Sequence, residues 1–331
     1  MLDIRLGPPQ RLEHLVVFPL LERERIELPY DLLTDAVAAG TVRVTEVREG
    51  HVPNLLVHNL GERPVLVLDG EQLIGAKQNR TTNRSVLLPG KRETEIPVSC
   101  MERGRWRFVT REFGASPDHA PAKVRRQARD LEEAHVRART APSTTMLAGA
   151  QGAVWSEIQA LHDKMGVRSD TSALDASYVA RRVDLDDWAK AFPGVDGQVG
   201  ILALTPAGPV GLDVVGSQTL WARVHGRLLN GYLMDALDRD ALGAGRTFRF
   251  ESERPGGREP EPGSEERDAR GFMRSVMSAE FTEAPTVGLG RYSVLSRTAV
   301  GGELVEAGRL VHLCAFPPKR EGRERKREWR M

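Results

Sequence analysis

Residues Thr94–Met101 set the first limit on how this chain can fold. Ile96, Val98 and Cys100 fall on one side of an alternation, and Glu95, Pro97 and Ser99 on the other. That period of two is the pattern of a half-buried strand and is foreign to a helix. Pro97 lacks an amide hydrogen, so it predicts an edge strand or a bulge. Cys100, on the apolar side, reads as a small buried hydrophobe and not a nucleophile. Upstream, the run from His14 to Phe18 predicts a strand ended by Pro19, and Val42, Val44 and Val47 predict another. Asn54–Leu60 and Pro64–Leu68 follow, with Gly61-Glu62 as their turn. Turn signals recur about every 8–12 residues, so the first ~110 residues predict a mainly antiparallel β unit. Val199–Leu204 and Val210–Val215 around Pro206-Ala207-Gly208 predict a hairpin. Tyr292–Arg297 and Arg309–Phe316 predict closing strands.

Between these runs the apolar period lengthens to that of a helix. Pro29 opens a short helix, Tyr30–Ala39, closed by Gly40. Pro121–Arg139 is charged and has only a thin stripe of Val124, Ala128 and Leu131, which predicts a surface helix. Gln151–Met165 places Val154, Trp155, Ile158, Leu161, His162 and Met165 on one face, with Gly166 as its stop. Asp184–Ala191 and Phe272–Met277 predict shorter helices. Ser217 predicts the N-cap of a helix reaching about Leu242, with Trp221, Val224, Leu228 and Tyr232 inward. Asp235 continues that line, either at the rim of the packed face or in a pocket. Arg254–Ser264, rich in Pro, Gly and Glu, predicts a disordered loop.

The expectation is an α+β fold: an antiparallel β-rich core, sandwich-like, drawn from both ends of the chain, with several packed helices. Residues 1–317 are expected as a single domain, β-rich over 1–115, helical over 120–193, and hairpin, helix and strands over 195–317. Residues 318–331 are expected as a basic disordered tail, either solubilising or a docking arm for a protein partner. The chain has 331 residues, 40% apolar and 5% aromatic, enough for a sizeable aliphatic core. A net charge of +1 gives no global attraction to nucleic acid or to an anionic membrane. Two cysteines make no disulfide framework, and neither a secretory pattern nor an apolar run of ~20 residues is present, so a cytoplasmic location is expected.

Familiar chemistry is missing. The histidines are scattered, no Cys-x-x-Cys occurs, and Gly75-Ala76-Lys77 lacks the spacing of a phosphate-binding loop. No metal or cofactor is expected. What remains lies in Gly70–Trp106, where the apolar run Val65–Leu68 meets Asp69, Gly70, Glu71 and Gln72, then Lys77, Gln78, Asn79 and Arg80. Such a junction is either an ordinary solvated turn or a ligand mouth. Under the second reading, Glu71 and Asp213 are candidate general acids or bases. Lys77 and Arg80 could hold an anionic or phosphorylated ligand, and Gln78 and Asn79 could read polar edges. Trp106 either stacks on a ring or fills the core, and Glu102 with Arg103 and Arg105 reads, on the bland alternative, as a solvated turn.

The runs GEQLIGAKQNR, LLPGK and PVSCMERGRW, then GAVW at Gly152–Trp155, then VGLDVVGSQTLWARVHGRLLNGYLMDAL, form an ordered set. It resembles the ARG and Rhodanese-Phosphatase-superfamily-associated Protein domain family of bacteria, over Leu12 to Pro317. The resemblance implies gene association with ADP-ribosylglycohydrolases and rhodanese-like phosphatases, and a place in prokaryotic conflict or stress systems, with no established activity. It implies recurrent polar positions at Glu71, Lys77, Gln78, Arg80, Glu102, Arg105, Trp106, Asp213, Tyr232 and Asp235. Asn79 stands where the pattern would carry an acid. The leading expectation is a module that binds or senses a small anionic ligand, a nucleotide or ADP-ribose derivative. The alternatives are a hydrolase or transferase using Glu71 or Asp213 with Lys77 and Arg80, and an interaction scaffold.

Overall fold

A computed structural model describes residues 3–13, 15–48, 53–129, 144–238, 249–250 and 263–318. Its largest element is a nine-stranded antiparallel sheet. Across the sheet run Arg5–Leu6, Leu15–Leu21, Gln198–Thr205, Gly208–Val215, Arg309–Phe316, Val300–Glu306, Arg291–Ser296 and Glu280–Ala284, and Gln10–Leu12 also pairs with Leu15–Leu21. Both ends of the described chain therefore share one sheet. A six-stranded sheet is built from Phe113–His119, Glu71–Gly75, Arg80–Thr82, Arg92–Cys100, Asn54–Asn59 and Val42–Glu46. Val65–Val67 pairs with Val86–Leu88 and, in parallel, with Asp31–Leu32. The short strands Leu237–Asp238 and Arg249–Phe250 also pair.

Among the described residues six α-helices pack on these sheets: α1 Leu33–Ala38, α2 over residues 122–129, α3 Thr144–Met165, α4 Asp175–Trp188, α5 Gln218–Ala236 and α6 Ser264–Met277. The architecture is α+β, as the sequence predicts. Strand alternation divides the core. Leu15, Val17, Ile201 and Ala203 join a cluster with Val154, Leu185, Leu220 and Val224 from α3, α4 and α5. Val16, Phe18, Leu202 and Leu204 point the other way, onto Ala269, Phe272 and Val276 of α6. A separate cluster, including Val44, Val57, Ile96 and Val98, lies under the six-stranded sheet. Ser217 caps α5 as expected, its hydroxyl accepting the Leu220 amide at 3.4 Å. Gly231, which weakens that helix locally, is explained by contact: a Cβ there would sit 3.0 Å from the Ala120 carbonyl oxygen.

Several expectations are corrected. Pro19 lies inside its strand. Its carbonyl accepts the Gly7 amide, so its missing N–H faces residues 7–9, between the two short strands, where no ladder bond is needed. Pro97 is in an inner strand, at the point where Arg92–Cys100 changes partner from Asn54–Asn59 to Arg80–Thr82. α1 starts only at Leu33, because Asp31 and Leu32 pair with Val65 and Leu66. α4 and α6 start well before the predicted Asp184 and Phe272. Val300–Glu306 and Glu280–Ala284 are further strands. α5 stops at Ala236, where the chain turns extended, and the predicted end at Leu242 lies outside the described residues. So do residues 130–139 of the predicted surface helix, residues 254–262 of the predicted loop, and the tail from Lys319. The described part of the predicted surface helix is not on the surface: Val124, Arg125 and Arg129 of α2 are all buried. No described helix is long and apolar enough to cross a membrane.

Candidate functional site

The chain leaves Val65–Val67 through Leu68, Asp69 and Gly70, and Asp69 turns inward. Facing it, α2 carries Arg125 and Arg129 four residues apart, hence on one side of the helix. Strand Gly208–Val215 brings Asp213, whose register partner is Cys314 of the last strand, with Val215 opposite His312. Arg125 grips Asp213 with both terminal nitrogens, Nη1 to Oδ2 at 2.8 Å and Nη2 to Oδ1 at 2.7 Å. Arg129 holds Asp69 Oδ2 through Nη2 at 2.6 Å and Nε at 3.0 Å. Arg129 Nη1 also bonds the Tyr292 hydroxyl. The Cys314 thiol donates to Asp69 Oδ2 at 3.0 Å, and the Tyr232 hydroxyl donates to Asp213 Oδ2 at 2.6 Å. Gly70 makes room for this network, since a Cβ there would stand 2.6 Å from Arg125 Cδ, and its φ of +84° suits glycine.

Burial alone would raise the pKa of both aspartates. The facing arginines overcome it and hold Asp69 and Asp213 below the ordinary carboxylate range. Burial pushes the Cys314 thiol up, so it stays protonated. Donor atoms of Asp213, His312 and Cys314 lie within 4.8 Å of one another, close enough to hold a metal ion. A cation there would meet the Arg125 guanidinium already bound to both Asp213 oxygens, so the residues fit a metal poorly. The Ser85 hydroxyl lies 2.6 Å from His312 Nδ1, and His312 Nε2 lies 3.2 Å from Asp213 Oδ1. This hydroxyl–imidazole–carboxylate chain is buried throughout, and Ser85 also accepts the Asp69 amide at 3.0 Å.

Glu71 begins the next strand, 2% exposed. Its Oε1 accepts Arg227 Nη1 at 2.9 Å, while Oε2 has no hydrogen-bond partner among the described residues. Burial raises its pKa against the pull of Arg227. His119 is its register partner across the sheet, and burial keeps that imidazole neutral by lowering its pKa well below the usual value.

A third group surrounds the turn after Glu71–Gly75. Arg105 is its strut: Nε reaches both Glu102 oxygens at 2.9 Å, Nη1 the Ala76 carbonyl at 2.7 Å, and Nη2 Asn79 Oδ1 at 3.0 Å. Glu102 also accepts the Asn79 amide at 3.1 Å; burial would raise its pKa, but Arg105 and its other donors lower it. Arg80 is 0% exposed. Its Nη1 donates to Gln78 Oε1 at 2.7 Å and to Cys100 Sγ at 3.1 Å. Over it lies the Trp106 ring, with Arg80 Cζ 5.6 Å from the centroid. Trp106 and Phe108 are 50% and 51% exposed, and Lys77 Nζ sits 5.4 Å and 5.0 Å from their ring centres.

Asp235 caps α2 from α5, with Oδ2 accepting the Ala122 amide at 2.5 Å and the Lys123 amide at 3.3 Å. Burial, opposed by Lys123, pushes its pKa up to about 7. It lines a cleft of about 20 Å3 with Lys123, Glu157 and Lys164, room for one water.

The residues singled out from sequence thus fall into four groups. Lys77, Gln78, Arg80, Glu102, Arg105 and Trp106 surround one turn. Asp213 and Tyr232 lie in the ionic centre, Glu71 pairs with Arg227, and Asp235 caps α2. No hydrogen bond joins Glu71 to Asp213. The two sequence stretches touch where Glu71 of the first pairs with Arg227 of the second, while in the ionic centre Asp69, just ahead of the first stretch, and Ser85, between its quoted runs, reach Asp213 and Tyr232 through Arg125 and His312. Sequence reasoning missed Ser85, Arg125, Arg129, His312 and Cys314. The available signals were the i, i+4 arginines beside Val124 and Ala128, and the i, i+2 pair of His312 and Cys314 on a strand. A family model described as ARG and Rhodanese-Phosphatase-superfamily-associated Protein domain matches residues 3–316. No curated protein and no solved structure matches the chain.

Proposed function

We propose, for a chain that belongs to the ARG and Rhodanese-Phosphatase-superfamily-associated Protein domain family, that it binds a small anionic molecule with a flat ring, of the nucleotide or ADP-ribose class. The binding face is that of Lys77, Trp106 and Phe108. One observation carries this reading: two large aromatic rings stand half in solvent with a lysine ammonium about 5 Å from each. A ring stacked on such a side chain gains about 1–3 kcal/mol, and the ammonium supplies the charge an anion needs. The Arg105 strut stiffens the loop, so little ordering cost falls on binding. The reading sets this binding within a prokaryotic stress or conflict system. Calorimetry and tryptophan fluorescence against AMP, ADP and ADP-ribose test it. Saturable binding that weakens roughly tenfold or more in Trp106→Ala is expected. Absent heats throughout the panel, with folded protein, would overturn it.

A second reading, hydrolysis or group transfer, draws on Glu71. Its carboxyl is buried, raised in pKa and has an oxygen without a partner, the condition of a general acid or base. The proton role goes to Glu71 and not to Asp213, whose oxygens are taken by Arg125, Tyr232 and His312. Turnover of ADP-ribose compounds that survives unchanged in Glu71→Gln would remove this reading.

A further inference from the structure

Arg80 differs from the other buried arginines of this protein. Its Nη1 is used by Gln78 and Cys100, yet Nε and Nη2 have no hydrogen-bond partner among the described residues. Those two nitrogens form the side edge of the guanidinium, the fork that takes two oxygens of a carboxylate or phosphate at once. Cys100 offers no charge, because burial raises the thiol's pKa. The nearest carboxylate is Glu46, whose Oε2 stops 3.8 Å from Nη2 and is itself without a hydrogen bond. A fully buried cation with an open fork is costly to keep, and the Trp106 indole covers it.

We propose that the Nε–Nη2 edge of Arg80 is the oxyanion subsite of the binding face. The inference rests on the reading of Trp106 as a ligand platform and narrows it. The ligand is a planar ring bearing a two-oxygen anion, a phosphate monoester or a carboxylate. The indole turns aside as the oxyanion reaches Arg80, and the ring then lies against it. Glu46 is the resident competitor for the same edge, and Lys77 contributes only charge at the rim.

The test uses the full chain and two matched pairs of probes: AMP against adenosine for phosphate, and nicotinate against nicotinamide for carboxylate. Tryptophan fluorescence and calorimetry give the affinities. In at least one pair the charged member is expected to bind roughly tenfold or more tighter, as a charge-assisted fork requires. Glu46→Gln keeps an acceptor for the Lys77 amide and removes the competing charge, so it should tighten the charged probe several-fold and leave the neutral one alone. Arg80→Lys keeps the charge and loses the fork, and should erase the advantage, with circular dichroism reporting that the variant is folded. Lys77→Gln should cost only a few-fold. Equal binding of charged and neutral probes, both abolished by Trp106→Ala, would overturn the Arg80 subsite and leave the platform standing. So would an advantage that Lys77→Gln erases while Glu46→Gln leaves it unchanged. Silence of all four probes with wild-type protein would overturn the platform and the subsite together.

Discussion

The ionic centre and the Trp106 loop both bury arginines, and they treat them differently. In the centre, Arg125 and Arg129 meet Asp213 and Asp69 in pairs, charge for charge. In the loop, Arg105 is equally well met by Glu102, while Arg80 beside it holds only an amide oxygen and a thiol at bonding distance. Both regions hold residues singled out from the sequence, Asp213 and Tyr232 in one and Arg80 and Trp106 in the other, so such selection does not separate structure from binding. Partner accounting does. A buried pair in hydrogen-bond contact fastens elements together, and one held 3.8 Å apart beneath a half-exposed ring is where a closer partner would go.

The largest test of that contrast is Asp213→Ala. Removing one member of a buried pair strands Arg125 and should cost about 3–5 kcal/mol in chemical denaturation. A much smaller loss, with ligand binding abolished, would make the centre a site after all. Acid offers the same test without mutation. Asp69 and Asp213 have lowered folded-state pKa values, so their contribution is present above the ordinary carboxylate value of ~4 and is lost as pH falls below it.

Asp235 should behave in the opposite sense. Its folded pKa of about 7 lies above the unfolded value, so the folded state binds the extra proton. Its contribution is present below about pH 4 and lost as pH rises through about 7, on the order of 4 kcal/mol in all. Asp235→Asn keeps an acceptor for the Ala122 amide and should flatten the stability slope between about pH 4 and 7. An unchanged slope would locate the titration elsewhere.

Within the loop, Glu102→Gln should cost about 1.5–3 kcal/mol, since Arg105 loses a charge-assisted partner, and should weaken binding by loosening the platform. Trp106→Ala should move stability least, within about 0.5 kcal/mol, because half the indole is already wet. Stability loss comparable to that of Asp213→Ala would turn the indole into a core residue and end the contrast.

Much of the fold was legible because its signals are local. The alternation at Thr94–Met101, the hairpin around Pro206-Ala207, and the apolar face of Gln151–Met165 each lie within one element or two consecutive strands. The inward face of α2 was not legible. A rule that reads charge as solvent assigns Arg125 and Arg129 outward, and their neutralising partners stand 88 and 60 residues away in the chain. The same distance hid the ionic centre, although Asp213 and Tyr232 were singled out. In the loop, polar density was legible and its division of labour was not. Glu102 and Arg105 spend their bonds on Asn79, Ala76 and each other, which no spacing reveals.

The position of Arg309–Phe316 has one more consequence. This stretch, at the end of the described chain, is an inner member of the large sheet, hydrogen-bonded on one side to Gly208–Val215 and on the other to Val300–Glu306. The six-stranded sheet draws only on residues 42–119 and can assemble while synthesis is still under way. The larger one must wait until Arg309–Phe316 has left the ribosome. Until then Gly208–Val215 carries a bare edge, open to pairing with a neighbouring nascent chain.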